Sequence, residues 1–95
     1  MKRVVWSPEA RNDLSEMDAY YRPLNPAFAQ RALLDAIKAG TFLLQWPRAG
    51  QTSLESQHRK WRVARTPYSL IYSETTTGIR IVRATHAAQD EQRIP

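Results

Sequence analysis

Apolar residues recur along this chain with two different periods, near three and a half in its first half and two in its second. Val4, Val5 and Trp6 open it with a run that suits a short strand, because β-branched and aromatic side chains pack well on a pleated surface. Ser7, Pro8 and Glu9 then signal a helix start. Serine can cap exposed N–H groups, proline has the φ of the first helical position, and a carboxylate suits the positive end of the dipole. Ala10, Leu14, Met17 and Tyr21 follow at helical spacing and form one apolar stripe. Glu9, Asp13, Glu16 and Asp18 lie off that stripe and read as solvated helix surface.

Pro23 and Pro26 break the first helix, since the residue before a proline is pushed out of helical backbone. Asn25 and Pro26 repeat the cap-and-proline start. Ala29, Ala32, Leu33, Ala36, Ile37, Gly40, Leu43 and Leu44 then keep three-and-four spacing up to Trp46 and Pro47. The small residues in this stripe allow close approach of the two helices. The expectation is an antiparallel helical hairpin.

Residues 47–58 are polar, with one glycine and no period, and read as a loop. Segments 59–65, 68–74 and 79–85 are rich in Val, Ile, Tyr and Trp, and the sequences between them suit turns. Connections this short imply antiparallel neighbours. The expected class is therefore α+β with the order β-α-α-β-β-β: a helical hairpin packed on one face of a small, mainly antiparallel sheet, its first strand joining the later meander. Residues 1–95 read as a single domain with a loose polar tail at 87–95.

Composition narrows the chemistry. There is no cysteine, which excludes a disulfide framework, a thiolate metal site and a cysteine nucleophile. The two histidines lack metal-ligand spacing, and the three glycines form no phosphate-binding loop, so neither a metal nor a cofactor is expected. The first apolar run is far too short for a secretory leader, and no stretch approaches the roughly 20 apolar residues of a membrane span. The expectation is a cytoplasmic protein. Fourteen Lys and Arg against nine Asp and Glu give a net charge of +5, which favours anionic partners.

The densest positive charge is His58-Arg59-Lys60-Trp61-Arg62, where strand alternation puts Lys60 and Arg62 opposite Trp61 and Val63. Arg80, Arg83 and His86 lie on the last strand. Arg59, Lys60, Arg62, Arg80, Arg83 and His86 are thus the candidates for binding a target. A cluster of Lys60, Arg62, Arg83 and His86 could also stabilise charge in a phosphodiester-cleaving transition state. A solvated cationic sheet face is the structural alternative. His86 and Asp90 are placed to hydrogen-bond at a strand end. Trp6, Trp46 and Trp61 read as core, as do Tyr68 and Tyr72, which share a face with Leu70.

Taken together these pieces resemble the RelE/ParE toxin superfamily. Trp6-Ser7-Pro8-Glu9-Ala10, Leu14 and Tyr20-Tyr21 are similar to its opening, followed by Leu43, Pro47-x-x-Gly50 and Arg59-Lys60-Trp61-Arg62-Val63. Pro67-Tyr68-Ser69-Leu70-Ile71-Tyr72 and Ile79-x-Ile81-x-Arg83-x-x-His86-x-x-Gln89-Asp90 resemble its later strands. The resemblance implies the toxin of a type II toxin–antitoxin system, neutralised by a cognate antitoxin, without a cofactor. RelE-like members cleave mRNA on the ribosome with basic residues, whereas ParE-like members poison DNA gyrase. The nuclease branch usually carries an arginine where this chain has Ser69, and a tyrosine near the C-terminus, whereas none follows Tyr72 here. The ending around Arg83 and His86 looks ParE-like. The resemblance therefore implies a gyrase inhibitor that is not a hydrolytic enzyme, with a ribosome-dependent endoribonuclease as the alternative. The antitoxin is expected on the second helix or the open sheet face.

Overall fold

The computed structural model describes residues 1–53 and 56–86. Seven elements follow one another: β1 Arg3–Trp6, α1 Pro8–Tyr21, α2 Pro26–Gln45, β2 Gln51–Ser53, β3 Ser56–Arg62, β4 Tyr68–Thr75 and β5 Gly78–His86. Both helix starts are capped as the sequence signals. Ser7 Oγ accepts from the Ala10 N–H at 3.0 Å, and Asn25 Oδ1 accepts from the Phe28 N–H at 3.1 Å. The turn between the helices closes on the Tyr21 carbonyl, which accepts from Leu24 and Asn25.

The strands form one sheet in the order β1-β5-β4-β3-β2. β1 runs parallel to β5, placing Val4 beside Ile79 and Trp6 beside Ile81, and the other pairs are antiparallel. The first strand thus joins the meander, as expected, through a crossover that contains the whole hairpin. The helices cover one sheet face. Between them lie Leu43, Val63, Leu70, Tyr72, Ile79 and Ile81, all buried, with Val4, Trp6, Leu14 and Trp61 packed around them. Trp61 and Leu70 are cross-strand partners on this face, which leaves Lys60 and Arg62 on the other.

Three expectations need correction. The segment read as a loop contains β2, whose Gln51 and Thr52 pair with Lys60 and Arg59. Three polar residues at a sheet edge carry no alternating pattern, so this strand left no hydrophobic trace. β3 ends at Arg62 instead of running to 65, because Val63–Pro67 forms a tight turn. Thr66 Oγ donates to the Val63 carbonyl and accepts from the Tyr68 N–H, while Arg65 takes a φ of 62°. Asp35, buried on α2, ties this turn to the helix: both its oxygens accept from Arg65 Nη2, at 3.0 and 3.2 Å. Finally, Trp46 is not core but 61% exposed.

The β4–β5 connection needs its glycine. Gly78 has a φ of +142°, and a Cβ there would lie 2.0 Å from the Arg3 carbonyl oxygen. Glu55, Asp90 and the tail 87–95 lie outside the described residues.

Candidate functional site

The order of the sheet decides which basic side chains meet. Lys60 and Arg62 lie two residues apart on β3, exposed on the face away from the helices, across from Ile71 and Ser69 of β4. Arg62 also donates from Nε to the Thr66 carbonyl at 2.9 Å, which leans its guanidinium toward the β3–β4 turn. Arg80 pairs with Ser73 of β4 and with Val5 of β1 and is exposed. By alternation it shares the uncovered face with Lys60 and Arg62, one strand beyond β4.

Arg59 has a different job. It lies opposite Tyr72 and donates from Nη1 to the carbonyls of Arg48 and Gly50, at 3.2 and 3.0 Å. It therefore holds the segment after α2 against β3.

Arg83 shares a cross-strand row with Lys60, both being partners of Ile71, but its guanidinium is drawn to α1, and His86 faces the helix side. β1 ends at Trp6, opposite Ile81, so among the described residues the second half of β5 has no strand on that side. The start of α1 takes the vacant position. The Ser7 N–H donates to the Ile81 carbonyl, and Ser7 Oγ donates to the Val82 carbonyl at 2.8 Å. Asp13 then reaches the same edge: its Oδ2 accepts from the Ala84 N–H at 2.9 Å and from Arg83 Nε at 2.7 Å. Its Oδ1 accepts from Arg83 Nη2 at 3.0 Å. This planar two-point pair is the strong form of an arginine–carboxylate contact. The carboxylate holds the Arg83 guanidinium even more firmly protonated than usual, first by hydrogen bonding and then by charge. Asp13 was read as solvated surface, yet its side chain is only 10% exposed.

His86 pairs with Tyr68 across the ladder, their rings edge-on with centroids 5.1 Å apart. Both line a pocket of about 330 Å³ with Asp13, Glu16, Tyr20 and Arg83. Burial, followed by the nearby Tyr21, Tyr20 and Asp13, pushes the Tyr68 hydroxyl up to about 12. Nothing in the spacing of Asp13 marks it as the partner of Arg83 seventy residues later; only the topology brings them together.

The structure thus brings Lys60, Arg62 and Arg80 to one face, ties Arg59 into the fold, and places Arg83 and His86 beside α1. Among the described residues, no three His, Asp or Glu side chains converge as metal ligands, and no helix is long and apolar enough to cross a membrane.

A helical hairpin on one face of a five-stranded sheet, with lysine and arginine displayed on the other, defines a small toxin of the class that the sequence resembles. A model of the ParE toxin of type II toxin–antitoxin systems (parDE) matches residues 4–91, and the chain belongs to that family. Among solved structures it is similar to a chain of the chromosomal ParDE TA system from P. aeruginosa. The two are 25% identical, the match covers 90% of this chain and 96% of the other, and the TM-score is 0.79. No curated protein sequence matches the chain.

Proposed function

We propose that this toxin inhibits DNA gyrase by protein contact and is neutralised by a cognate antitoxin. Membership of the ParE family over residues 4–91 carries the reading. The geometry adds support. A nuclease built on Lys60, Arg62, Arg83 and His86 would gather these cations around one phosphate. Here Arg83 is committed to both oxygens of Asp13, and His86 stands beside Tyr68 on the helix side. Lys60, Arg62 and Arg80 remain as recognition residues for an anionic partner surface. The ribosome-dependent nuclease stays as a second reading because Lys60 and Arg62 stand side by side on an uncovered strand face.

The antitoxin has a natural seat on the outer side of α2. Leu34 and Ile37 are 46% and 48% exposed there, one turn apart, an apolar stripe suited to an amphipathic or extended segment. Hydrogen exchange of the complex should show slowed exchange in α2; unchanged exchange there, or protection of the uncovered sheet face alone, would reject this seat.

The functional test is a cleavage assay with purified gyrase, ATP and supercoiled plasmid. Linear, gyrase-linked DNA should accumulate with the toxin and disappear when antitoxin is added first. No linear DNA, with folded toxin and an active gyrase control, would overturn the gyrase reading.

A further inference from the structure

The end of α2 carries a feature that neither the basic face nor the antitoxin seat uses. Phe42, Gln45, Trp46, Pro47, Arg48 and Ala49 line a groove of about 560 Å³, walled mostly by carbon. Trp46 is 61% exposed and Phe42 is 40% exposed, the latter stacked on Trp61 with centroids 5.2 Å apart and planes at 23°. Two large aromatic side chains left in water at one spot are unusual on a small chain, and aromatic residues with arginine are what interface hot spots are made of.

The groove is also built rather than incidental. The buried Tyr72 hydroxyl donates to the Pro47 carbonyl at 2.7 Å and accepts from the Gly50 N–H at 2.9 Å. Arg59 holds the Arg48 and Gly50 carbonyls, and the Ala49 N–H closes on the Trp46 carbonyl at 3.1 Å. Gly50 cannot carry a side chain, since its Cβ would lie 2.6 Å from the Tyr72 oxygen and 2.9 Å from the Lys60 carbonyl oxygen. Five hydrogen bonds to a four-residue stretch keep the groove open in advance, which lowers the ordering cost of binding. Its rim is positive. The Arg48 side chain is 81% exposed and lies 3.7 Å from Glu74, itself 44% exposed, a pair that water weakens, and Lys38 stands one turn before Phe42 on α2.

We propose that this groove is where the toxin grips its target protein: it takes one large apolar side chain from an acidic segment of that target, with Trp46 covering the side chain and Arg48 pairing with a neighbouring carboxylate. The inference rests on the reading of this chain as a toxin that acts by protein contact. The target is favoured over the antitoxin by geometry. The groove is compact and preformed, fit for a single anchor, and Trp46, just past the end of α2, lies nine residues beyond Ile37, about 13 Å from the near end of the stripe that suits a long segment.

The test compares Trp46→Ala and Arg48→Glu in the full chain, with two readouts. Growth arrest on induction without antitoxin should need at least about 10-fold more toxin for either variant, the loss expected of a hot-spot residue. Antitoxin affinity by calorimetry should stay within about twofold, which also shows that both variants are folded. Arg48→Glu changes a solvated side chain and keeps the test sound if Trp46→Ala folds poorly. Undiminished arrest in both variants would overturn the proposal, and so would a parallel fall in antitoxin affinity, which would give the groove to the antitoxin. Growth arrest does not presume gyrase. A parent chain that leaves gyrase unaffected, together with variants that lose arrest, would overturn the choice of gyrase and uphold the groove.

Discussion

Arg83 is half-buried on β5, where both oxygens of Asp13 receive its guanidinium, whereas Arg62 stands exposed on β3 with one nitrogen on the Thr66 carbonyl. The two residues are chemically identical and both sit in strands of one sheet. What separates them is the neighbour on each side. β5 loses its partner strand after Ile81, so a helix must satisfy the exposed edge, and Asp13 does so with a charge that then requires a cation. β2 likewise starts opposite Lys60 and leaves Arg62 paired only with Ser69 of β4, but among the described residues no helix lies over the face that carries Lys60 and Arg62. Each arginine lies past the end of a neighbouring strand; it becomes part of the architecture where a helix brings a carboxylate to that edge, and stays exposed where no helix does.

The comparison breaks most visibly at Asp13. Asp13→Ala leaves the Ala84 N–H and the Arg83 guanidinium without their acceptor, and should destabilise the fold by about 2–3 kcal/mol. The Arg83 side chain is 42% exposed, so water takes over part of its solvation and keeps the loss from growing larger. A shift of the urea midpoint at unchanged slope measures it, and a loss below about 1 kcal/mol would show that the pair is decorative.

Tyr72→Phe probes the other point of attachment. It removes two hydrogen bonds from a buried hydroxyl and should cost about 1–2 kcal/mol, with faster amide exchange at Gly50. Exchange at Gly50 as slow as in the parent would mean that Arg59 alone holds the loop.

A smaller effect is expected in alkali. The Tyr68 hydroxyl is raised to about 12, so the folded state keeps a proton that the unfolded chain releases near 10. Its contribution is full below about pH 10 and fades as pH rises toward 12. Tyr68→Phe should therefore flatten the fall in stability between those values, and phenolate absorbance should show one tyrosine titrating late. A slope unchanged by the substitution would remove Tyr68 from the account.

The smallest change belongs to the open face. Arg80→Gln should alter stability by no more than about 0.5 kcal/mol and Arg62→Ala by about 1 kcal/mol at most, from its single bond to Thr66. Losses as large as that of Asp13→Ala would erase the distinction between the two regions.

Much of the fold was legible in local pattern. Both helices, their caps and four of the five strands follow from residue pattern and from Ser7-Pro8 and Asn25-Pro26, and β1 joined the meander as expected. β2 was invisible because a polar edge strand has no buried side to alternate. Of the candidate site, the grouping of Lys60 with Arg62 is written in strand parity. The capture of Arg83 by Asp13 is not, because it depends on where β1 stops and on which residue α1 then presents. Trp46 misled for a related reason: an aromatic at a helix end looks like core until the packing shows that the core is already full.

The claim that this toxin acts by contact meets its most direct test on the ribosome. Primer extension across mRNA on translating ribosomes, with the purified toxin added, should give full-length products without new ends. New ends within the codon being read, appearing with the parent chain and vanishing with Arg62→Ala, would contradict the account and make the exposed β3 face a nuclease site although Asp13 holds Arg83.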